Sequence, residues 1–147
     1  MTRAERMQPV QKVVDAAERQ RAEALAASEG RVAQAEKKLQ ELEHYHADYQ
    51  RSYQDRVAAG ISSGGLRDYQ LFLARLAEAV RQQTLAVKSA QADRDMVRVR
   101  WQDAARRAKA IDHVVENWNA DERREAGRRE QRDSDERAQR SRPKALD

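Results

Sequence analysis

The side chains that could do chemistry in this chain are three histidines and many carboxylates. His44 and His46 are two residues apart and so point to different sides of a helix, while His113 lies far along the sequence. A zinc site on a helix wants an i,i+4 pair or a convergent carboxylate, so this spacing predicts no metal site. Cysteine is absent, which removes disulfides, thiol nucleophiles and thiolate ligands. Ser62-Ser63-Gly64-Gly65 has glycines but lacks the lysine and flanking strand of a phosphate loop. The carboxylates lie in stretches so polar that none is sheltered enough to gain a catalytic pKa. The expectation is a non-enzyme with no catalytic residue, no cofactor and no metal.

Function must then reside in surfaces, and the elements that position them are helices. The chain has 147 residues, of which 37% are charged and 5% aromatic, with five glycines and two prolines. Few turn-formers and abundant Ala, Glu, Arg and Gln favour long helices over a mixed compact fold. A seven-residue apolar repeat runs from Leu66 through Tyr69, Leu73, Leu76, Val80, Gln83, Val87, Ala90, Arg94, Val97, Trp101, Ala104, Ala108, Ile111 and Val115 to Trp118. Such a repeat keeps one narrow stripe of a helix against a partner helix. A second seam reads Leu25, Ser28, Val32, Ala35, Leu39, Leu42, His46, Tyr49, Tyr53. Upstream it continues through Val10, Val14, Ala17 and Arg21, with a four-plus-four step that predicts a stutter.

Between the seams lies Ala59-Gly60-Ile61-Ser62-Ser63-Gly64-Gly65. Gly60 can close the first helix in a left-handed conformation, and Ser62 or Ser63 can cap the second. So short a connection makes the helices antiparallel neighbours. Folding there places Tyr53 near Tyr69, Tyr49 near Leu73, Leu39 near Gln83 and Ser28 opposite Arg94. The fold class predicted is all-α, an antiparallel two-helix coiled-coil hairpin with a charged C-terminal helical extension. Helix one covers about 7–58, the turn 59–65 and helix two about 66–137, with a tail to 147, all in a single coiled-coil domain. The extension has i,i+4 pairs Glu125 with Arg129, Asp133 with Arg137 and Glu136 with Arg140, and Arg142-Pro143 should end it.

The net charge is only +4 and the signs interleave, which suits a solvated coiled-coil surface and argues against nucleic acid as the partner. Met1-Thr2-Arg3-Ala4-Glu5-Arg6 lacks the apolar stretch of a secretory signal, and no segment reaches a membrane span, so the expected location is cytoplasmic. The aromatics cluster near the turn. Tyr49, Tyr53 and Tyr69 belong to the seams, but Tyr45 and Phe72 occupy flanking positions that usually carry charge. With Lys38 and Ala79 they line one edge of the hairpin. That edge reads either as a widened core or as a partner-binding patch.

Several stretches together resemble the FliJ family of flagellar type III export proteins. Arg6-Met7-Gln8-Pro9-Val10-Gln11-Lys12-Val13-Val14 is similar to the family's opening helix. Ile61-Ser62-Ser63-Gly64-Gly65-Leu66-Arg67-Asp68-Tyr69-Gln70-Leu71-Phe72-Leu73-Ala74-Arg75-Leu76 is the most specific match, with Ile111 to Arg137 resembling the charged C-terminal end. The resemblance implies a stalk that binds and stimulates the hexameric export ATPase, contacts the cytoplasmic domain of the export gate FlhA and recycles export chaperones. It implies attachment to the cytoplasmic face of the inner membrane only through the export apparatus. Its gate-contacting positions would here be Leu42, Tyr45, Tyr49, Phe72, Leu76 and Ala79. The rival readings are the stalk of a virulence type III secretion system and a nucleic-acid or ribosome-associated coiled coil.

Overall fold

A computed structural model describes residues 1–142, and the tail from Pro143 onward lies outside the described residues. Its elements are α1 (Arg3–Arg6), α2 (Gln8–Ala59) and α3 (Ser63–Ser141), with no strand among the described residues. The chain is all-α, and α2 and α3 pack against each other as a helical hairpin.

The turn shows why the chain reverses where it does. Gly60 has φ 94°, a conformation that L side chains rarely adopt, and its N–H reaches the Val57 carbonyl at 3.3 Å. The Ser62 hydroxyl accepts from the Gly65 N–H at 3.1 Å, and the Ser62 carbonyl accepts the first α3 bond from Leu66. Ser62 is therefore the N-cap, and Ile61 and Leu66 stand in the two positions of a hydrophobic staple. A Cβ on Gly65 would lie 3.0 Å from Ile61 Cγ1, so glycine there leaves room for Ile61 to fold back. The helix starts at Ser63 because the cap holds the two glycines that composition assigns to the turn.

The residues group into two compact units, Gln20–Gln102 and Met1–Arg19 with Asp103–Asp147. In the first, Val32, Leu76 and Val87 are buried and the flanking seam residues are half-buried. Gln83, a polar interruption of the seam, donates to the Ala35 carbonyl at 3.0 Å, one turn further from the bend than Leu39. The other interruption, Arg94, turns its guanidinium out to Asp95 (3.1 Å), while Ser28 on the α2 seam is only 1% exposed. An ion pair between Arg98 and Glu29 (3.7 Å) bridges the two helices nearby.

The second unit is built on α1, the start of α2 and the later part of α3. Thr2 and Glu5 form a reciprocal capping box that starts α1. Pro9 has no N–H to give the Glu5 carbonyl, and the chain tightens there, with Met7 bonding Ala4 instead. Ala4, Ala108 and Val115 are buried, Gln11 donates to Asp112 at 3.2 Å, and the Arg3 guanidinium lies 5.1 Å from the Trp118 ring centre. Opposed packing thus reaches Trp118. From Arg123 to Arg142 every residue is exposed. Contacts there include Asp121 with Arg124, Gln131 with Asp135 (3.1 Å) and the Ser141 hydroxyl with the Ala138 carbonyl (3.1 Å), and among the described residues the three i,i+4 ion pairs of the spacing are not closed.

Burial moves the predicted four-plus-four step rather than removing it. Val10 and Ala17 are exposed, whereas Gln11, Val14 and Glu18 are half-buried. Arg21 is exposed and Ala22 half-buried, so the half-buried run Gln11, Val14, Glu18, Ala22 and Leu25 takes its four-plus-four step at Val14, Glu18 and Ala22. Polar residues occupy seam positions, and an apolar-only reading steps onto the exposed alanine beside them.

Candidate functional site

The unusual surface of the Gln20–Gln102 unit is aromatic. On α2, Leu42, Tyr45 and Tyr49 follow at three and four residues, and on α3 Tyr69, Phe72, Leu76 and Ala79 do the same. Helical periodicity places each set along one side of its helix. The hairpin brings the sets together. Tyr49 is the hub, with ring centroids 4.4 Å from Phe72, 5.3 Å from Tyr45 and 6.2 Å from Tyr69. Tyr53 joins through Tyr69 at 5.9 Å, and its hydroxyl meets the Gln70 amide at 3.4 Å. All these pairs are tilted, with interplanar angles of 43° to 52°, between stacked and edge-to-face.

The six sequence-predicted positions differ in what they present. Tyr45 is 50% exposed, so about half of its surface faces solvent. Tyr49, Phe72, Leu42 and Ala79 are half-buried, and Leu76 is buried in the seam. Tyr45, Tyr49 and Phe72 form one continuous ring surface, with Leu76 in the core of the same unit. The Tyr49 hydroxyl is pushed above its ordinary pKa chiefly by the neighbouring Tyr45 phenol, with desolvation and the hydrogen bond that the Tyr49 hydroxyl gives Tyr45 adding to it. That hydroxyl stays protonated and the hub stays uncharged at neutral pH. The surface can bury apolar area and offer phenolic hydrogen bonds.

The histidines lie elsewhere in character. His44 pairs with Asp48 at 3.4 Å on the surface, and His46 sits half-buried in the seam. Among the described residues no group of three His, Asp or Glu side chains converges on a metal-sized site, and no helix is long and apolar enough to cross a membrane. Sequence reasoning missed the Gln11–Asp112 and Arg3–Trp118 contacts. Their signal was the heptad count itself, which places residues 4, 11 and 18 on the seam whatever their polarity.

The fold is a helical hairpin that carries a cluster of partly exposed aromatic rings. The chain belongs to the family described as the flagellar FliJ protein, whose profile matches residues 3–144. The family has a flagellar, type III export-associated role as a non-catalytic export component. No curated protein and no solved structure matches the chain at a significant level.

Proposed function

We propose that this protein is the stalk of the flagellar export apparatus, one coiled-coil domain that binds and stimulates the hexameric export ATPase and couples it to the export gate. The observation that carries the reading is the cluster of rings made by exposed Tyr45 and half-buried Tyr49 and Phe72 on a member of this family. Rings already packed against one another lose little side-chain entropy when a partner covers them, which suits a binding hot spot. Leu42 and Ala79, half-buried, and Leu76, buried in the seam, complete the gate-binding surface. Docking on the ATPase ring falls to the end of the hairpin that holds the N-terminus and Ile111 to Trp118. Export chaperones are the third class of partner, and the protein meets the cytoplasmic face of the inner membrane only through the apparatus.

The purified protein is expected to raise the turnover of its cognate export ATPase, and its deletion to impair swimming. Unchanged ATPase turnover together with normal motility would sink the proposal.

A further inference from the structure

A second apolar stripe lies on the outward side of α3. Leu85, Met96 and Val99 are 59%, 58% and 55% exposed. With Ser89 and Ala92 they follow one another at steps of four, three, four and three residues, so they share one face. The seam over the same stretch is Gln83, Val87, Ala90, Arg94 and Val97, and the stripe lies on the opposite side of the helix. A face turned to water ordinarily carries charge. This one repeats the spacing of a coiled-coil contact.

The charges beside the stripe indicate what covers it. Lys88 and Asp95 flank it on one side, and Asp93 and Arg100 on the other. In a parallel pair of helices a residue on the first flank meets the second-flank residue five positions further along its neighbour. Between two copies of this chain in register, Lys88 would face Asp93 of the second copy and Asp95 would face Arg100 of the second copy. Twofold symmetry supplies each pair twice. An antiparallel pairing of the same stripes matches Lys88 with Asp95 only, and sets Asp93 and Arg100 against alanines. Glu78 and Asp103, one step beyond the ends of Gln82 to Val99, would face their own copies and so bound the contact.

We propose that the outward face of α3 from Gln82 to Val99 is a self-association surface, on which two copies of the chain pair in parallel and in register. Ser89 and Ala92 at its centre are small, which lets the two backbones approach but buries little area. The association is therefore weak and concentration-dependent. It also disengages Asp95 in part from Arg94, which holds it at 3.1 Å in the single chain.

Sedimentation of the full chain over a wide concentration range tests this. The mass should rise from the 16.9 kDa of one chain toward twice that value. Met96→Asp should stay monomeric with unchanged far-ultraviolet helicity. Lys88→Glu should weaken association about tenfold by turning two attractive pairs repulsive, and adding Asp93→Lys should restore it. Because the chain has no cysteine, Ser89→Cys should yield a disulfide-linked dimer on mild oxidation, whereas Ala47→Cys on α2 should not. A single-chain mass at every concentration would overturn the proposal, as would Met96→Asp associating like the wild type. Failure of the Lys88/Asp93 exchange to restore pairing would overturn the parallel arrangement.

Discussion

Replacing Ser28 by alanine should make the protein more stable. Ser28 is 1% exposed, and its hydroxyl has no hydrogen-bond partner among the described residues. A buried hydroxyl left unpaired costs about 1–3 kcal/mol relative to its hydrated state. Alanine keeps the small volume that lets Arg94 escape past this position, and removes the polar atom. It also gains a few tenths of a kcal/mol in helix propensity, about 0.5 at most. Together these give a stabilisation of about 1–3.5 kcal/mol, or a rise in Tm of roughly 3–10 °C for a chain of this size. The assay is urea unfolding followed by circular dichroism, with Ser52→Ala as reference, since Ser52 is an exposed residue of the same helix. Ser52→Ala reports propensity alone, so the difference between the two variants isolates the buried hydroxyl. If Ser28→Ala gains no more than Ser52→Ala, the hydroxyl is satisfied and the reasoning fails.

Gly60→Ala should destabilise by about 1–2 kcal/mol in the same assay, because φ 94° is strained for any L side chain although nothing lies within 4 Å of the added Cβ. Trp118→Ala should lose both packing and the Arg3 contact, whereas Arg3→Ala should cost only about 0.5–1 kcal/mol, the worth of an exposed cation–π pair. Glu78 has its pKa held below the ordinary 4.5 by hydrogen bonds from Gln82 and Arg81 and by the Arg81 charge. The stability this carboxylate contributes is therefore fully present above pH 4.5 and lost as pH falls through its lower folded value. Acid titration of wild type against Glu78→Gln should show the gap between them closing over that range, and a gap independent of pH would contradict the assignment.

The hairpin was legible because two apolar heptad patterns flank a glycine-serine turn, and both signals describe the same reversal. The register near the bend was legible from Tyr53 and Tyr69, which meet as the spacing requires. The N-terminal register was not, because Gln11 and Glu18 take seam positions that apolar content cannot reveal. Gln11 tolerates its place by bonding Asp112, a long-range partner invisible to local pattern. The start of α3 was misplaced for a related reason: propensity disfavours Gly64 and Gly65 in a helix, and the Ser62 cap outweighs it. In the aromatic surface, spacing identified Tyr45 and Phe72 as excess to the seam. Spacing could not show that Tyr49 joins both rings into one surface, since that depends on how the two helices close on each other.

The proposed coupling of ATPase and gate stands or falls most directly on one titration. The full-length protein should bind the cytoplasmic domain of its cognate export gate. The Tyr45→Ala/Phe72→Ala variant should bind about tenfold or more weakly, as expected for losing two interface aromatics, with helicity near that of the wild type. Undiminished affinity in that variant would contradict the account.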